Sequence, residues 1–165
     1  MQELAPTENK SNPWHFSWPH IALSFVGLWL SYDAWQAHQR VKSGEDSGCE
    51  VTATINCDKV LTSQYAEVFG IPLGIYGLVY FLVVLLTSVS SEANFSWRRF
   101  RLTQFAVASV GILSSLALTY ISKVLLDTFC KICLRVHATT TALFIVSLVL
   151  LIWAIKQEKK RSPGN

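Results

Sequence analysis

The residues best able to do chemistry in this chain are its four cysteines, and two of them lie one helical turn apart. Cys130 and Cys133 belong to the stretch Asp127-Thr-Phe-Cys130-Lys-Ile-Cys133-Leu-Arg-Val-His137, where a polar connection turns into a long apolar run. Spaced i,i+3 on a helix, the two thiols share a face and can close a small disulfide ring, and His137 falls on the same stripe. At a helix N-terminus the unpaired N–H groups and the positive dipole end favour thiolate over thiol, and Lys131 adds a cation. The pattern proposes thiol–disulfide redox chemistry at a membrane edge.

Cys49 and Cys57 must be explained with this pair. Four cysteines allow three pairings, and spacing alone does not choose among them. Two inert bridges tying an external loop to a bundle and a reactive relay are both open at this point. A zinc site is disfavoured: seven residues between the first pair and two between the second match no common finger. No metal is expected.

The elements that must position these thiols read as membrane helices. The chain is 51% hydrophobic and 15% charged, which fits an integral membrane protein. The net charge of +3 comes with no basic field interleaved with aromatics, so nucleic-acid binding is excluded. Residues 1–17 read as a cytoplasmic tail, 18–155 as one membrane domain with spans near 18–35, 72–88, 102–126 and 132–155, and 156–165 as a basic cytoplasmic tail. Trp18, Trp35 and Trp153 serve as interfacial anchors, and Asp33 is placed at head-group level. Pro72 suits the first turn of the second span; Gly74 and Gly77 leave notches for a neighbouring helix or a ligand. The polar connection from Gln36 to Gly70 is too long to be idle. Within it, Asn56 is a plausible N-cap, and Val60, Leu61, Tyr65, Val68 and Phe69 share a helical face that stops at Gly70, predicting a short amphipathic surface helix able to carry Cys57 over the mouth of the bundle. The fold class is thus an all-α membrane protein, a four-helix bundle with an outward-facing cysteine loop.

Arginines between spans two and three and lysines after span four put both termini in the cytoplasm by the positive-inside rule; Arg40, Lys42 and Lys59 count against it. All four cysteines then meet in the oxidising compartment.

Three segments together carry a family resemblance: Cys49-Glu-Val-Thr-Ala-Thr-Ile-Asn-Cys57-Asp-Lys-Val-Leu-Thr-Ser63, Phe69-Gly-Ile-Pro-Leu-Gly-Ile-Tyr-Gly77, and Cys130-Lys-Ile-Cys133. The chain resembles the vitamin K epoxide reductase family from about Trp18 to Ile155, and its Ile-Pro-Leu-Gly start of span two looks like bacterial members. The resemblance implies a bundle around a quinone pocket capped by a relay loop. It implies that Cys133 is the thiol nearest the quinone, that Cys130 exchanges with Cys57, and that Cys49 faces a partner protein; Ser63, Leu73, Tyr76 and His137 are the positions it places at the quinone. Where mammalian members have a tyrosine and an asparagine this chain has His137 and Leu73, which favours ordinary quinone reduction over epoxide reduction. Many bacterial members carry a fused thioredoxin-like domain; ending at Asn165, this chain is expected to use a separate DsbA-like or thioredoxin-like partner across a bacterial inner membrane. Ubiquinone or menaquinone is the expected acceptor. The alternatives are a vitamin K or epoxide reductase of an ER membrane, and a structural four-span protein with static disulfides.

Overall fold

A computed structural model describes residues 14–49, 52, 54–89 and 97–161. Among these the chain is mostly helical: α1 (Trp14–Lys42), the short α2 (Cys57–Leu61), α3 (Leu73–Val89), α4 (Trp97–Tyr120) continuing into a π-helical turn (Ile121–Leu125), and α5 (Lys131–Arg161). A two-stranded hairpin, β1 (Glu67–Val68) and β2 (Ile71–Pro72), stands between α2 and α3. The expected stretches 1–13, 90–96 and 162–165 lie outside the described residues, as do Glu50, Val51 and Ala53.

Two helical segments, Phe100–Leu125 and Lys131–Gln157, are long and apolar enough to cross a membrane. Apolar α3 has 17 residues, about 26 Å at 1.5 Å per residue, close to the ~30 Å hydrocarbon core. At 29 residues α1 is long but more polar. The outer faces carry exposed Val79, Leu82, Leu86, Val110, Leu113, Leu116, Ile145, Val149 and Ile152, surface suited to lipid rather than water.

The helix α1 runs seven residues beyond the expected span end at Trp35. The hydropathy boundary is real, but Ala34, Ala37 and Val41 continue an apolar stripe that packs on the cysteines, so the helix outlasts the membrane. It ends on Gly44 at φ +87°, with the Glu45 N–H donating back to the Arg40 carbonyl at 2.9 Å.

The surface helix is shorter than expected. Asn56 does cap it, its Oδ1 accepting from the Lys59 N–H at 3.0 Å, but helix α2 stops at Leu61. Val68 and Phe69 do not extend it. Phe69 and Gly70 both take positive φ, 53° and 75°, and form the two-residue turn of the hairpin; Gly70 is a hairpin glycine, not a helix stop. Pro72 closes strand β2, and helix α3 begins one residue later.

Helix α1 packs most extensively on α3 and then on α5, and α4 packs on α5, whereas α3 and α4 touch little. Phe81, Val84 and Leu143 form the buried centre, and Phe81 is seated over Gly27, where a Cβ would collide with its ring. Arg101, expected in a solvated connection, is instead buried within α4, its Nη1 donating to Gln104 Oε1 at 2.9 Å while Gln104 reaches Ser88 Oγ.

Candidate functional site

Cys57 opens α2, and Cys130 immediately precedes α5. A parallel bridge couples the two approaches: the Asn56 N–H donates to the Phe129 carbonyl at 3.0 Å and the Phe129 N–H to the Thr54 carbonyl at 2.9 Å. The residues just before Cys57 and Cys130 are therefore hydrogen-bonded to each other. Lys59 Nζ adds a strap to the Leu126 carbonyl at 2.8 Å. These bonds satisfy otherwise idle backbone groups of two connections and fix the two cysteines in one place.

Cys49 and Cys57 are joined in a disulfide, with Cα atoms 6.0 Å apart, and Cys130 and Cys133 are thiols. All four meet in one apolar cluster with Ala37, Leu61 and Ile132. Cys57 and Cys130 are buried and Cys49 and Cys133 half-buried, so Cys130 is not the exposed sulfur that a position at a helix end suggests. The reason is the overlying α2 and its bridge to Phe129.

At the start of α5 the Cys133 backbone N–H donates to Cys130 Sγ at 3.3 Å, so a sulfur occupies the N-cap acceptor position. The Cys130 thiol is held below its ordinary pKa, first by a hydrogen bond from the Cys133 side chain and also by the backbone N–H groups of Cys133 and Ile132; burial and the nearby Asp58 oppose this. The Cys133 side chain first, and the helix end with it, favour thiolate at Cys130.

Cys133 also lines a chamber of about 100 Å³ beneath the α2 lid, bounded by α1, α3, the π-helical turn and α5. A second chamber of about 490 Å³ adjoins it and shares Leu73, Gly77, Leu118, Val136 and His137. It lies between α3 and α4, where helix packing is thinnest. Every position that the resemblance places at a quinone lies on this double cavity. Ser63 lines the upper chamber, its Oγ donating to the Val60 carbonyl at 2.7 Å. Tyr76 lines the lower one, its hydroxyl donating to the Val68 carbonyl at 3.0 Å, and Leu73 and His137 line both. Nδ1 of His137 shares a 2.6 Å hydrogen bond with Ser115 Oγ, which fixes the ring.

Sequence reasoning missed Ser31, His38, Tyr80 and Ser115. Ser31 and His38 line the upper chamber from α1, at i and i+7. Among the described residues Ser31 Oγ, His38 Nδ1 and Tyr80 Oη are buried without a hydrogen-bond partner, although Tyr80 lines the lower chamber. The signal was the spacing Ser31, Ala34, His38, legible only once α1 is carried past Trp35.

The cavity fits a quinone in chemistry: its walls are mostly apolar, and residues that line it carry buried polar atoms without a partner among the described residues. Among the described residues no cluster of three or more His, Cys, Asp or Glu is placed to hold a metal.

A family model described as the vitamin K epoxide reductase family matches residues 18–148, most of the chain. The members of that family are oxidoreductases, and the apolar helices and clustered cysteines agree with redox work in a membrane. By this match the chain belongs to the vitamin K epoxide reductase family.

Proposed function

We propose that this protein is a bacterial inner-membrane quinone reductase that generates disulfides in a thioredoxin-like partner. The observation that carries the reading is the double position of Cys133, which packs on the cysteine cluster and also lines the upper chamber. A thiol so placed joins a water-facing disulfide to a lipid-facing pocket. Four spans, α1, α3, α4 and α5, hold both termini in the cytoplasm and the cysteines outside, and residues 18–155 form the membrane domain.

The partner's thiolate attacks the Cys49–Cys57 disulfide at Cys49, and its second thiol resolves the mixed disulfide. The partner leaves oxidised, with Cys49 and Cys57 reduced. Cys57 then attacks a Cys130–Cys133 disulfide at Cys130, expelling Cys133 as thiolate; Cys49 resolves the Cys57–Cys130 bond and restores the first bridge. This leaves Cys49–Cys57 oxidised and Cys130 and Cys133 as thiols, the pairing described above. A bound quinone supplies a two-electron sink. Cys133 gives up the electron pair, and Cys130, the sulfur with the lowered pKa, closes on Cys133 to re-form their bond. His137, anchored by Ser115, holds one quinone oxygen. Ser63, Leu73 and Tyr76 shape the walls. The lower chamber admits the tail from lipid.

The reading is tested by following quinone absorbance and partner disulfide together in purified protein, with a reduced DsbA-like donor. Wild type is expected to consume quinone and oxidise the donor in equal amounts, and Cys133→Ser to abolish quinone consumption. If no donor or small dithiol drives reduction of ubiquinone, menaquinone or vitamin K, the cysteines are structural bridges and the proposal falls.

A further inference from the structure

One histidine at the cavity has no part in the scheme above. His38 is 5% exposed and lines the upper chamber from α1. Its Nε2 lies 3.0 Å from Glu67 Oε1 on strand β1, and its Nδ1 is buried without a partner. Glu67 is in turn held by Lys42, one turn further along α1. A carboxylate on one ring nitrogen keeps a proton there and stabilises the ring when charged, leaving the other nitrogen to serve as donor or acceptor. An imidazole nitrogen without a partner among the described residues, on a side chain that lines a mostly apolar chamber, calls for a ligand bearing a polar atom.

The groups facing His38 are few. Glu67 meets it from the hairpin, and Tyr65, Cys133 and His137 share the chamber. Leu73, on the same wall, offers no hydrogen bond. His137 lines both chambers, whereas His38 lines only the upper one beneath α2. The two imidazoles are therefore suited to different oxygens of one ring.

Resting on the reading above, we infer that His38, backed by Glu67, is a catalytic residue that binds the quinone oxygen not held by His137 and delivers a proton to it from Nδ1. The balance closes. Two S–H bonds are lost as the Cys130–Cys133 bond forms, and two electrons and two protons are gained as quinone becomes hydroquinone. One of those protons comes from the imidazolium of His38, which is recharged from water between turnovers, while the thiol protons return to water or reach the other oxygen. The Glu67 carboxylate, 3.0 Å from Nε2, holds the ring in place and leaves Nδ1 as the nitrogen that no other described residue engages.

Two substitutions test this. His38→Gln can still hydrogen-bond but cannot act as an acid, and Glu67→Gln removes the charge behind the ring. In pre-steady-state work with a reduced thioredoxin-like donor, oxidation of the donor by the Cys49–Cys57 disulfide without quinone reports an intact fold. Against that control, His38→Gln is expected to slow the quinone half-reaction by about 100-fold or more, the usual contribution of a positioned acid. Glu67→Gln, which weakens the hold on the ring, is expected to slow the same half-reaction by about tenfold while the donor reaction stays unchanged. Quinone binding, read by quenching of tryptophan fluorescence, is expected to weaken about tenfold in His38→Leu. If wild type neither binds nor reduces quinone, the proposed function fails and this inference with it. If wild type does both, and His38→Gln and His38→Leu match it within twofold, His38 is packing alone and only this inference falls. If the His38 variants lose the donor reaction as well, Glu67→Gln decides: a quinone half-reaction within twofold of wild type overturns the assignment.

Discussion

At the scale of single residues, the polar groups of the cavity depend on partners from distant elements, as His137 of α5 does on Ser115 of α4. Ser31 and His38 look like ordinary helix residues until the hairpin brings Glu67 against His38. Gly74 was readable as a notch but not by what fills it. A Cβ there would lie 2.7 Å from the Trp35 backbone nitrogen and 2.8 Å from its Cα, so the notch seats a helix backbone that cannot rotate aside. Gly74→Ala must therefore push α1 and α3 apart. We expect a loss of about 1–3 kcal/mol, the usual cost of forcing atoms into a filled core, with quinone affinity falling because Gly74 also lines the upper chamber. Denaturation in detergent alongside quinone titration would check both. Unchanged stability would mean that the two helices separate freely.

At the scale of elements, helices were legible and the cap over the cavity only in part. Apolar runs near the length of a bilayer announce α3, α4 and α5, while the end of α1 depends on a stripe that packs on cysteines distant in sequence. The hairpin was misread as helix because Val60, Leu61, Tyr65, Val68 and Phe69 satisfy a helical period. What decides against it is local: Gly70 permits the tight turn, and the Leu73 N–H finds the Ala66 carbonyl at 3.0 Å across the hairpin base. The hairpin is tied to α1 through Glu67, held by Lys42 and His38. These partners, Lys42 first, hold the Glu67 carboxyl below its usual 4.5. A depressed folded pKa means the tie is fully present above the ordinary carboxyl range and is lost as pH falls through the folded value. Amide exchange or limited proteolysis of the hairpin is thus expected to stay slow from pH 7 to about 5 and to quicken below the usual carboxyl value. Glu67→Gln should flatten that dependence. A hairpin equally protected at pH 3 and pH 7 would show that the strand pair holds without the tie.

At the scale of the whole molecule, the proposed function divides labour by solubility: a quinone would come from lipid and a thioredoxin-like partner from water, so the sulfurs would sit where the two phases meet. The cysteine cluster beside the mouth of the bundle and the chamber opening between α3 and α4 satisfy both demands at once. Sidedness is then the property on which disulfide formation depends, and the charges bear on it. Lys42 and Lys59 count against cysteines facing outward, yet Lys42 is engaged by Glu67 and Lys59 by the Leu126 carbonyl. The basic run Lys156, Lys159, Lys160 and Arg161 follows the last apolar stretch at the opposite end of α5 from Cys130. With the cysteines outside, a membrane-impermeant maleimide added after mild reduction should label Cys49 in right-side-out vesicles and not in everted ones. Trypsin should remove the basic tail only in everted vesicles. Labelling of Cys49 from the cytoplasmic face would place the relay where thiols are kept reduced, and the protein could then not serve as a source of disulfides, whatever its activity toward quinones in detergent.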